Sequence, residues 1–218
     1  MSGEFSLFII LKINRKYLLL SVVIIIILLV VILRDYIREG LRIDYKRYYN
    51  VKVLNEDIEE LKKKLSIIDL NYDWNENLTF NNNPNKIIYH HCARSYWSPE
   101  DINEYHKAKG WKGIGYNFYI RKDGDIYSGR PENSEGAHTK GENSKSIGIC
   151  LEGNFEEDKL TKEQIESLIN LSIYISLKYD IYKIVGHKDV YETLCPGKNF
   201  PLKDIKTQVI KGMKNYKK

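Results

Sequence analysis

The residue types best suited to chemistry lie between His187 and Cys195, in the run His-Lys-Asp-Val-Tyr-Glu-Thr-Leu-Cys, followed by Pro196 and Gly197. An imidazole and a thiol at the ends of such a short stretch are too far apart to stack on one helical turn, but a loop can turn both to one point. Nitrogen plus sulfur suits zinc, which accepts imidazole and thiolate in a tetrahedral shell. A catalytic zinc takes three protein ligands and keeps one position for water. A third ligand must therefore come from elsewhere, and the pair His90-His91 is the candidate. Neighbouring side chains on a strand point to opposite faces, so only one of the two can reach a metal.

These residues need elements to hold them. Lys86 to Cys92 reads as a buried strand that delivers the histidine pair. Ser98-Pro99-Glu100-Asp101 opens a helix that stops at Gly110, with Ser as cap, Pro in the first turn and acids at the positive end. Tyr116–Lys122 and Asp125–Arg130 flank Asp123-Gly124, a hairpin signal. Ser146–Glu152 is a further strand. Thr161–Tyr179 is a long helix opened by a capping box, Thr161 with Gln164. Ile181–Gly186 is a last strand that ends at His187, and a helix follows Pro201. Strands and helices alternate, which predicts an α/β domain with a central mixed β-sheet flanked by helices.

Upstream, residues 1–16 form a short N-terminal segment. Residues 17–33 carry no charge and read as a transmembrane anchor at the short end of the spanning range. Residues 34–83 read as a helical stalk and linker, and 84–218 as the catalytic domain. Within the stalk, Val51, Leu54, Ile58, Leu61, Leu65 and Ile68 recur at the spacing of a coiled-coil seam that would pair two copies of the chain; an amphipathic helix lying on the domain or the membrane fits the same spacing. Basic residues flank the apolar run on both sides, and the excess after it would hold the domain inside, against the expected placement of the domain outside the cytoplasm.

The net charge of +5 is spread along the 218 residues with no basic block, which argues against nucleic acid as a partner. Three cysteines, Cys92, Cys150 and Cys195, are too few for a disulfide framework. A bridge between Cys92 and Cys150 requires their strands to adjoin.

Beyond Lys86 the motifs Ile88-Tyr89-His90-His91-Cys92-Ala93, His106 through Trp111, Ile114-Gly115-Tyr116-Asn117-Phe118, Gly129-Arg130, Gly136-Ala137-His138, Asn143 through Ile149, and Gly186-His187 through Cys195-Pro196 occur in one order. Together they resemble the zinc amidases of the N-acetylmuramoyl-L-alanine amidase type, which include phage lysozymes and peptidoglycan recognition proteins. The resemblance implies one zinc held by His91, His187 and Cys195. It implies Tyr116 and Thr193 as catalytic residues, and His138, His90, Asn117 and Arg130 as substrate-binding ones. Peptidoglycan or its muropeptides would be the partner, cut at the amide between N-acetylmuramic acid and L-alanine. A receptor of the same fold that binds without cutting is the alternative, and Cys195 argues for the enzyme. Some relatives carry a glutamate base where this chain has Cys150; Glu152 is the nearest carboxylate.

Overall fold

The computed structural model describes residues 21–34 and 51–216. Contacts divide the chain into two units, residues 1–52 and 53–218.

Of the first unit, residues 21–34 are described, as a helix (α1) whose side chains are all exposed. Among the described residues no helix is long and apolar enough to cross a membrane. The expected anchor over 17–33, of which 17–20 lie outside the described residues, and the single-pass, extracytoplasmic placement built on it are corrected by that finding.

The second unit is built on a five-stranded sheet in the order β3-β2-β4-β1-β5. The strands are β1 (Lys86–His91), β2 (Phe118–Ile120), β3 (Ile126–Ser128), β4 (Ile147–Leu151) and β5 (Lys183–Gly186). β1 pairs in parallel with both β4 and β5, β2 in parallel with β4, and β2 and β3 form the antiparallel hairpin. The hairpin turn is the expected Asp123-Gly124, with Gly124 at φ +92°, a conformation glycine adopts without steric cost. The sheet is mixed and covered by helices on both faces, as its alternating elements predict.

Side chains alternate across the sheet and divide the core in two. Ile87 and Tyr89 of β1, Phe118 and Ile120 of β2, and Ile147, Ile149 and Leu151 of β4 point to one face, where α2 (Val51–Leu65), α4 (Lys162–Tyr179) and α5 (Leu202–Lys214) cover them. Tyr119 and Cys150 point to the other, with Ile102 of α3 (Pro99–Ala108) and Ile114. Both capping boxes form: Ser98 with Asp101 on α3, and Thr161 with Gln164 on α4. All three cysteines are free thiols.

The described apolar side chains of α2 face the domain. Leu61 is buried in the large cluster, and Ile58 and Leu65 pack against it. Ile68 exchanges backbone hydrogen bonds with the edge of β3, donating to Ile126 and accepting from Ser128. The side chains of Val51 and Leu54 lie outside the described residues. The described part of the apolar stripe is spent on the domain's own core, as the alternative of a single amphipathic helix expected, and nothing among the described residues supports the homodimer through the stalk.

Candidate metal centre and groove

The parallel strands β1, β4 and β5 end on one edge of the sheet, where ligands of α/β proteins bind. β1 and β5 are in register with Tyr89 beside Gly186, so the next residues, His90 and His187, come side by side. Their ring centroids are 4.5 Å apart. After His187 the chain makes a short 3-10 turn through Asp189, whose carboxylate accepts from the Gly186 amide at 2.8 Å. The loop closes where the Lys188 amide donates to the Cys195 carbonyl at 2.7 Å. This brings the Cys195 thiol back over the strand ends.

One ligand atom each from His90, His187 and Cys195 lies within 4.8 Å of the others. Nδ1 of His90 is 3.7 Å from Cys195 Sγ. The residues brought together differ from the implied ligand set at one position. His90, expected in the substrate groove, faces His187 and Cys195. His91, expected as a ligand, turns to the opposite face of the sheet. The register explains the difference: His90 pairs with Cys150, on the α3 face, whereas His91 pairs with Leu151, on the face of the large core. There His91 Nδ1 accepts from the Phe155 amide at 3.1 Å, and its ring lies 6.1 Å from that of Phe155. His91 still contributes its backbone, whose amide donates to Cys195 Sγ at 3.4 Å.

Burial shapes the electrostatics. It pushes the Cys195 thiol up to about 12 and lowers His187 to about 4. His90 falls well below the usual imidazole range, through burial and then through the neighbouring His138 and His187. The three residues thus hold two neutral imidazoles and one thiol that needs a cation to ionise. His187 Nε2 is buried and has no hydrogen-bond partner. Buried polar nitrogens are normally satisfied, and a missing metal is one cause of an orphan. Two imidazoles, one of them with a buried unpartnered nitrogen, and one thiol fit zinc with a fourth position open.

The cluster opens into a cavity of about 360 Å³ lined also by Tyr116, His138 and Thr193. Tyr116 sits 5.1 Å from the His90 ring, and burial raises its phenol well above the usual range, so it remains a donor. Thr193 Oγ1 accepts from the Cys195 amide at 3.3 Å and keeps its own proton free. His138 is buried, with Nδ1 3.1 Å from His90 Nε2. The cavity joins a wider groove of about 730 Å³ through Trp111, Ala137, His138 and His187.

Two expected groove residues lie elsewhere in role or place. Asn117 is buried and fully used on backbone: its amide nitrogen donates to Arg130 and Pro131, and its oxygen accepts from Gly148. Arg130 borders the wider groove but spends its Nε on the Ile114 carbonyl and an Nη on that of Glu135. Glu152 is no base at the site, since its buried carboxylate accepts from Arg121 Nε and the Lys122 amide.

The sequence reading missed the wall formed by α3 and its flanks. Arg94 stacks over Trp97 at 5.3 Å, Trp97 meets Tyr105 edge-on at 5.0 Å, and Lys109 Nζ lies 4.2 Å over Tyr105. The one available signal was the four-residue spacing of Tyr105 and Lys109, which puts them on one helix face.

Comparison with known proteins agrees with this geometry. Residues 80–198 match the family model described as Amidase_2, N-acetylmuramoyl-L-alanine amidase. The endolysin of Klebsiella phage KP32 is 34% identical over 125 residues, 53% of this chain and 82% of that protein. Peptidoglycan-recognition protein SC2 of Drosophila melanogaster is 39% identical over 124 residues, 51% of this chain and 67% of that protein. Among solved structures, the endolysin N-acetylmuramoyl-L-alanine amidase LysCS from Clostridium intestinale superposes with a TM-score of 0.66 at 50% identity, covering 66% of this chain and 95% of that one. With more than half of its length matched by the family model, and with relatives spanned over most of theirs, the chain is an enzyme of the N-acetylmuramoyl-L-alanine amidase family.

Proposed function

We propose that the protein is a zinc-dependent hydrolase of the amide bond between N-acetylmuramic acid and L-alanine in peptidoglycan, with zinc held by His90, His187 and Cys195. The observation that carries this reading is the convergence of those three ligand atoms within 4.8 Å at the floor of a groove, with His187 Nε2 buried and unpartnered. When bound, zinc lowers the pKa of its water to about 7 and polarises a carbonyl.

The other tasks fall to the chain. The His91 amide, on Cys195 Sγ, offsets part of the thiolate charge. Tyr116, kept protonated by burial, donates to the substrate carbonyl oxygen as charge grows on it. Thr193 supplies a second hydroxyl on the Cys195 side of the cavity. The wall of Arg94, Trp97, Tyr105 and Lys109 offers aromatic faces and two cations, which suits a ligand joining a sugar to a carboxylate-bearing peptide.

The test is metal content and release of new L-alanine amino termini from peptidoglycan, for the wild type and Cys195→Ser. One zinc per chain and cleavage by the wild type, both lost in Cys195→Ser, is expected. Binding of wall fragments without cleavage by a zinc-loaded wild type would replace the hydrolase with a receptor.

A further inference from the structure

We propose that His138 is a positioning residue of the metal centre: it accepts the hydrogen bond of His90 Nε2 and thereby turns His90 Nδ1 toward the metal. The inference rests on the zinc reading above and assigns His138 to a ligand, where the resemblance implied the substrate.

The proton positions follow from the chain of contacts behind the ring. The Ser146 hydroxyl donates to the Glu142 carbonyl at 2.6 Å, which leaves Ser146 Oγ to accept. Its neighbour is His138 Nε2, at 3.5 Å, so that nitrogen carries the hydrogen. His138 Nδ1 is then the acceptor. It faces His90 Nε2 at 3.1 Å, which can donate to its one lone pair, and the Thr139 hydroxyl, also at 3.1 Å, competes for the same lone pair. With its proton on Nε2, His90 has a free lone pair on Nδ1, the nitrogen 3.7 Å from Cys195 Sγ. A metal-ligating histidine commonly gives its other ring N–H to such a partner, which fixes tautomer and ring orientation.

The surroundings of His138 are shaped for this ring. A Cβ at Gly148 would stand 2.5 Å from His138 Cδ2, and one at Gly136 2.6 Å from the same atom. Two glycines from different segments thus form the slot into which the imidazole fits. The Asn143 side chain accepts from the amides of both His138 and Thr139, at 3.0 and 2.9 Å, and holds the backbone that aims it. A groove residue meant to meet varied ligands has no need of such a slot.

The experiment measures zinc affinity by chelator competition, the visible spectrum of the cobalt-substituted protein, and the melting of the metal-free protein, for the wild type, His138→Ala, His138→Gln and Gly148→Ala. Loss of an outer partner of this kind costs roughly 10–100-fold in metal affinity. His138→Ala should weaken zinc by that factor and alter the cobalt spectrum. His138→Gln, whose amide oxygen can accept from His90, should recover most of the affinity. Gly148→Ala, which keeps the imidazole but fills its slot, should weaken zinc in the same direction, and it decides the matter if metal-free His138→Ala fails to melt cooperatively. Unchanged zinc affinity in His138→Ala or in folded Gly148→Ala, with weaker binding of muropeptide, overturns the positioning role and leaves the zinc reading intact. A wild type that binds no zinc overturns the zinc reading itself.

Discussion

Each residue at the strand ends has its task set by one or two neighbours. His90 lies between Cys195 and His138, His91 gives its ring to Phe155 and its amide to Cys195, and Tyr116 lies against His90. Tyr116→Phe removes one hydroxyl without opening a cavity. It should leave one zinc per chain and lower kcat about 100-fold or more, the size expected for loss of one oxyanion donor. Normal turnover by the variant would take that role from Tyr116. The residue least legible in the sequence is His90, because β1 is buried along its whole length and no polar face marks which histidine looks outward.

At the scale of elements, α2 has its apolar stripe on the core. Leu61 is 8% exposed and belongs to the same cluster as β1 and α4. Leu61→Ala should therefore cost about 2–5 kcal/mol of unfolding free energy in a urea titration, the range for a leucine cut back in a packed core. The midpoint should not move with protein concentration. A concentration-dependent midpoint would return the helix to a role between chains. The spacing of Ile58, Leu61 and Leu65 was plain in the sequence, but a periodic stripe has the same form whether it meets its own domain or a second helix.

The whole molecule carries buried imidazoles, and its stability must respond to acid. His106 is buried with Nδ1 accepting from the Gly115 amide, and it packs on Trp111 at 4.5 Å. Burial first, then the facing charges of Lys109 and Arg130, hold it at about 4 against an ordinary 6.5. Between those values the unfolded chain binds the proton and the folded one does not, so stability rises with pH across the window. Its contribution is complete above about pH 6.5 and lost by about pH 4, roughly 3 kcal/mol at most from this group. Thermal melts of the metal-free protein should fall in midpoint through that window, and His106→Gln should flatten the fall. An equal slope in the variant would place the acid sensitivity elsewhere.

The order of strands and helices, both capping boxes and the Asp123-Gly124 turn follow from local chemistry, because caps, turns and hydrophobic period act over a few residues. The candidate ligands His187 and Cys195 were also readable, since an imidazole and a thiol delivered by a strand end and a loop are residue types that zinc accepts. Tertiary structure alone decided which of His90 and His91 joins His187 and Cys195, where the stripe of α2 is buried, and what His138 touches. Those outcomes depend on strand register and on packing between segments far apart in the chain: β1 against β4 sets the face of His90, and Gly136 and Gly148 together make the slot for His138.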